Sequence, residues 1–152
     1  IKKTKLFKRF KMKQLFTLLF FITMMTSMQS QSIIGKWKTI DDATGEAKSI
    51  VEVFSKSGKI YAKVVDILDP AAKNNLCKQC SGEDKNKPIL GLTIIKGLSK
   101  DGSEYNSGEI LDPKNGKLYK CALTLESKDK LKVRGYIGFS LLGRTQYWHR
   151  VN

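Results

Sequence analysis

The sequence predicts an all-β domain, an eight-stranded antiparallel up-and-down barrel interrupted by one long loop over residues 69–90. Three observations predict it. Between residues 35 and 151 short runs of alternating apolar and polar residues recur. The breaks between them carry Gly, Asn, Asp and Pro, and no run beyond the N-terminal leader keeps the 3.6-residue apolar period of a helix. Alternation of period two buries one face of each strand and wets the other. Closing such a sheet on itself removes the edges that a flat meander would leave open to aggregation. A two-sheet sandwich is the alternative arrangement of the same strands.

In chain order, the first element is a leader. Met12-Lys13-Gln14 precedes an apolar run from Leu15 to Met25, and small polar residues follow to Ser32. A short basic start, an apolar stretch well below the ~20 residues of a bilayer span and small residues beyond it match a secretory signal peptide. An uncleaved anchor is the competing expectation. Because the chain begins with Ile1, the true start is expected at Met12, with residues 1–11 upstream of it and cleavage between Ser27 and Ser32. The exported product is one domain over residues 33–152, in the periplasm or outside the cell, and not membrane-spanning once the leader is removed. No Cys follows the apolar run to accept an N-terminal lipid.

The charge reading changes with the leader. A net charge of +14, from 28 Lys and Arg against 14 Asp and Glu, would ordinarily point to nucleic acid. Seven of those bases stand in residues 1–30 without one acid, so residues 31–152 carry 21 bases against 14 acids, a net +7. Lys117, Lys120, Lys128, Lys130, Lys132 and Arg134 cluster near Tyr119 and Tyr136, a composition that can bind single strands. They also alternate with apolar residues, which is how a solvated strand face reads. No nucleic-acid partner is expected; the basic face of residues 117–134 remains available to an anionic envelope surface.

Eight strands are expected at residues 35–41, 47–55, 59–68, 91–98, 103–111, 117–126, 130–137 and 142–151. The turns Asp42-Ala43-Thr44-Gly45, Ser57-Gly58, Asp101-Gly102, Asp112-Pro113-Lys114-Asn115-Gly116, Lys128-Asp129 and residues 138–141 join them, because these residue types tolerate the positive φ of hairpin turns. In the sixth strand Tyr119, Cys121, Leu123 and Leu125 share one face. Inward candidates for contact with a ligand are Val51, Val53, Val65, Ile94, Tyr119, Leu123, Val133 and Tyr147. Their apolar character suggests a small apolar molecule or lipid; a solid core built from the same residues is the alternative.

The stretch 69–90 is too long for an ordinary connection, and loops of that length are often lids or binding loops. It carries Cys77-Lys78-Gln79-Cys80, and Cys121 is the third cysteine. In an oxidising compartment a structural disulfide is the commonest outcome, either within the pair or from one member to Cys121. A thioredoxin-like redox site would need the CxxC to open a helix on a βαβ sheet, a context this pattern lacks. Cys77, Cys80, Cys121 and His149 would supply four zinc ligands only on converging. Ile67-Leu68-Asp69-Pro70 recurs as Ile110-Leu111-Asp112-Pro113, so two strands end in the same turn opener. The sharper reading brings the cysteines together at one barrel end.

Catalysis is poorly supplied. His149 is the one imidazole, no Gly-x-Ser-x-Gly elbow exists, and the glycines are scattered through hairpins instead of forming a phosphate loop. A non-enzymatic, monomeric binding barrel with no cofactor and no metal is the expectation. A thiol, redox or metal-dependent protein centred on the CxxC is the alternative, as is an envelope interaction protein using the basic face.

Gly35-Lys36-Trp37 opens the first strand, and Arg144, Trp148 and Arg150 share one face of the last. Barrel closure sets these strands side by side, so Gly35, Trp37, Arg144 and Arg150 are expected to seal one end through an arginine stacked on the indole.

The Gly-x-Trp opening and the final-strand Arg resemble the lipocalin and fatty-acid-binding barrels, although the Thr-Asp-x-x-Tyr motif of lipocalins is absent. A fuller resemblance covers the whole exported domain. It rests on Gly35-Lys36-Trp37-Lys38-Thr39, the CxxC, Pro88-Ile89-Leu90-Gly91, Gly108-x-Ile110-Leu111-Asp112-Pro113-x-Asn115-Gly116-Lys117-x-Tyr119, Leu131-x-Val133-Arg134-Gly135-Tyr136 and Leu141-Leu142-Gly143-Arg144-Thr145. These segments resemble the uncharacterised bacterial exported family termed domain of unknown function 2147. The resemblance implies a lipocalin-like barrel in the bacterial envelope and brings no activity with it.

Overall fold

The computed structural model describes residues 31–151; the leader and its cleavage site lie outside the described residues. Eight strands follow one another as β1 (Gly35–Ile40), β2 (Ala47–Lys56), β3 (Lys59–Ile67), β4 (Thr93–Asp101), β5 (Glu104–Asp112), β6 (Lys117–Ser127), β7 (Lys130–Tyr136) and β8 (Gly143–Arg150). Each pairs antiparallel with the next, and β8 returns to β1 through Trp37 opposite Arg150 and Lys38 opposite His149. The sheet is therefore a closed eight-stranded barrel, not a sandwich. The described residues contain no α-helix; the long β3–β4 connection holds two short 3₁₀ turns, Pro70–Ala72 and Gly82–Asp84.

The two ends of the barrel differ. At the base, Trp37 is fully buried and its indole N–H donates to Ile33 O at 2.8 Å. The Arg150 guanidinium lies over the Trp37 ring, 4.2 Å from its centroid. It also donates to three carbonyls, Lys128 O at 2.7 Å, Ile34 O at 3.1 Å and Ser32 O at 2.6 Å. A planar cation that stacks and fans out several N–H donors can tie three chain segments at once, which an ammonium cannot. Gly35 is required beside it: its φ is +132°, and a Cβ there would come within 2.9 Å of Arg150 Nη1. Arg144 is a correction to the expected closure. It stands at the opposite end of β8, on the mouth, paired with Asp42.

Above Trp37 the lower barrel is solid, filled by Val51, Val53, Leu98, Leu123, Leu131 and Ala62. Bulges then reset which residues point inward. Ile50 pairs with Asp66 but Val51 pairs with Val64, so Val65 is the extra residue of a β-bulge. Val64 takes the buried inward position; the expectation that Val65 does so is corrected. Tyr147 is likewise turned outward, 38% exposed, with the Lys130 ammonium 4.1 Å from its ring centroid. Its neighbours Gln146 and Trp148 point inward instead, opposite Val133 and Leu131.

Candidate functional site

The upper half of the barrel is open. A cavity of about 1250 Å³ descends from the mouth formed by the β1–β2, β3–β4, β5–β6 and β7–β8 connections. Its wall and floor are set by Val64, Ile94, Ile110, Tyr119, Val133 and Trp148. Of the sequence-expected contacts, Ile94, Tyr119 and Val133 line it. Val53 and Leu123 belong to the packed layer below, so the hollow and the solid expectation each describe one half of the molecule. Val64, Trp148 and Gln146 also line the cavity: on β3, period-two counting does not cross the bulge at Val65, and on β8, which pairs with β7 in unbroken register, the pattern does not say which of Tyr147 and Trp148 turns inward. Gly135 also faces inward, where a side chain would meet Ile110 Cγ2 and Tyr119 Cβ.

Polar groups gather at the rim. Asn115 Nδ2 donates to Tyr119 Oη at 3.1 Å, leaving the phenol proton free as a donor. The hydroxyls of Thr39 and Ser49, both lining residues, lie 2.8 Å apart. Arg144 pairs with Asp42, to which Gln146 Nε2 also donates at 3.0 Å. Asp41 accepts from Lys48 Nζ at 2.9 Å and from the amides of Ala43 and Thr44; these bonds hold its carboxyl well below the usual carboxylate range. Deeper down, the buried Trp148 indole N–H has no acceptor among the described residues.

The long loop folds over one side of the mouth. Cys77 and Cys80 form a disulfide, which settles the open pairing, and both are buried. A bridge between Leu76 and Pro88 closes the loop on itself, and the Cys77 Sγ lies 3.7 Å from Pro113 O. The CxxC therefore lies against the Asp112-Pro113 turn, but the sharper reading of the repeat, which brings it together with Cys121, is corrected. Cys121 is excluded from that group: it is buried within β6, opposite Gly108 and Gly135. Burial, and secondarily the charge of Glu104, push its thiol up to about 12. His149 is exposed on the outer face of β8, so the four conceivable zinc ligands do not converge. Among the described residues no three His, Cys, Asp or Glu side chains gather as a metal site.

A thiol titration reads this arrangement directly. The native protein is expected to react negligibly with a thiol reagent over minutes, and denaturation is expected to release one thiol per chain, from Cys121. Rapid native reaction, or three thiols without reductant, contradicts the buried-thiol and disulfide assignments.

Comparison with known proteins adds a family and a fold. The family model described as "Uncharacterized protein conserved in bacteria (DUF2147)" matches residues 35–150. Among solved structures, protein HP1028 from Helicobacter pylori, described as belonging to the lipocalin family, superposes with a TM-score of 0.72. The match covers 81% of this chain and 85% of that one at 22% identity, a likeness of fold. No curated protein matches the chain.

Proposed function

The chain belongs to this bacterial DUF2147 family, and we propose that it is an exported, non-enzymatic binding barrel for a small apolar molecule or lipid that carries a polar end. One observation carries the reading: the barrel is packed in its lower half and hollow above, with an apolar floor and polar groups confined to the rim. Ligand sites combine an apolar lining with a few placed polar groups in this way. An apolar chain would lie against Val64, Ile94, Val133 and Trp148, and its polar end would accept the free proton of Tyr119. Export is supported by the leader-like N-terminus and by a disulfide, a bond that persists in oxidising compartments.

The redox reading is disfavoured by the burial of both disulfide sulfurs, which removes the accessible thiolate such chemistry uses. The basic-face reading loses two of its members to internal contacts. Lys130 stacks on Tyr147 and pairs with Glu126, and Arg134 donates into the β7–β8 turn.

Binding is tested with a fluorescently labelled long-chain fatty acid, using Trp148 as the reporter inside the cavity. Saturable one-to-one binding with a change in tryptophan emission is expected. Tyr119→Phe is expected to weaken the acid by roughly two- to tenfold, the worth of one hydrogen bond, and to leave a hydrocarbon probe unaffected. Absence of saturable binding, together with no exchangeable apolar ligand by native mass spectrometry, rejects the carrier reading.

A further inference from the structure

The β7–β8 turn is unlike every other hairpin of the barrel. From Gly135 to Gly143 it holds no charged residue, and it exposes Ile137, Phe139, Leu141 and Leu142 at 65%, 78%, 89% and 73%. Four large apolar side chains on one hairpin tip form the kind of contiguous patch that marks a partner or a membrane. Two features choose between them.

The first is the backbone of the tip. Arg134 Nε donates to Ser140 O at 2.6 Å and Nη2 to Leu141 O at 3.2 Å, while the amides of Leu142 and Ile137 donate to Phe139 O and Leu142 O. Four successive carbonyls, 139 to 142, thus already have donors within the protein. Lowering a turn into a lipid interface is costly where backbone groups lose water without replacement, and this tip lowers that cost for its carbonyls. The second feature is charge. Residues 31–152 carry a net +7, and the rim acids Asp41 and Asp42 are matched by Lys48, Lys114 and Arg144. A basic body behind an uncharged apolar tip is complementary to an anionic lipid surface.

We propose that the β7–β8 turn docks on an anionic membrane surface, inserting Phe139 and Leu141. Ile137 and Leu142 of the same turn line the cavity, so docking would set the cavity mouth against the bilayer. An apolar ligand then passes between lipid and barrel without crossing water. This passage rests on the reading of the cavity as an apolar-ligand site; the docking itself does not.

The test uses the barrel of residues 31–152, a compact unit whose strands pair only with one another, and floats it with vesicles. Binding is expected to vesicles of phosphatidylglycerol and phosphatidylcholine, and weaker binding to phosphatidylcholine alone. Phe139→Ser with Leu141→Ser is expected to lower vesicle affinity by at least about tenfold. Its affinity for the labelled fatty acid in vesicle-free solution should stay unchanged. No flotation, equal binding to both lipid compositions, or an unaffected double variant overturns the proposal. So does a dimer that the same substitutions abolish in a protein that ignores vesicles, which assigns the tip to a second copy. Vesicle binding without fatty-acid binding overturns the cavity reading alone.

Discussion

Trp37→Ala is expected to lower the free energy of unfolding by about 3–5 kcal/mol, the range for deleting a buried tryptophan. Several losses coincide at this position. The indole fills the lower barrel, donates to Ile33 O at 2.8 Å and supports the Arg150 guanidinium 4.2 Å from its centroid. With the ring gone, Arg150 loses its platform while its carbonyl bonds to residues 32, 34 and 128 remain. Trp37→Phe should retain part of the packing and of the cation–π contact, and so fall between wild type and Trp37→Ala. Equilibrium urea denaturation checks both. A loss below about 1 kcal/mol for the alanine variant, with an unchanged slope, would show that the base does not close the barrel as described.

Gly116→Ala is expected to cost about 2–4 kcal/mol, and its effect should be concentrated in the mouth loop. The residue has φ of +70°, where a side chain alone costs roughly 1–2 kcal/mol. Beyond that strain, a Cβ here would overlap the backbone of Gln79 and Cys80, which cannot rotate away as a side-chain tip would. The disulfide loop sits directly on the β5–β6 turn, so it must lift. Gly102→Ala is the matched control: its φ is +59° but nothing lies within 4 Å of the added carbon, so only the strain applies. Hydrogen exchange should therefore quicken at residues 75–90 in Gly116→Ala and stay at wild-type rates there in Gly102→Ala. Equal behaviour of the two variants would separate the loop from the turn.

Much of the lower barrel was legible in the sequence. Leu123 and Leu131 fall on the apolar face of the period-two pattern along β6 and β7, and the alternation places them inward as the structure does. The upper barrel was less legible for a specific reason. Val65 lies where the pairing register slips, opposite the step between Ile50 and Val51 on β2. A bulge adds one residue to one strand and reverses the parity of everything beyond it, and the evidence for it resides in the partner strand. Tyr147 failed differently. It is a large aromatic beside Trp148, and local composition does not say which of two adjacent aromatics turns inward.

By itself the sequence determined the class of fold, the number and order of strands, and the short turns between them. It also marked residues 69–90 as the unusual connection. These follow from interactions between near neighbours, the period-two burial of side chains and the backbone freedom of Gly, Asn and Asp. Tertiary structure alone decided that Cys77 pairs with Cys80 while Cys121 stays a buried thiol, and that Arg150 seals the base while Arg144 joins the mouth. It also decided that the barrel is filled below and hollow above. Each of these depends on residues far apart in the chain meeting across a closed ring. A closed ring fixes the interior by the joint size of side chains from all eight strands, a sum that no single segment contains.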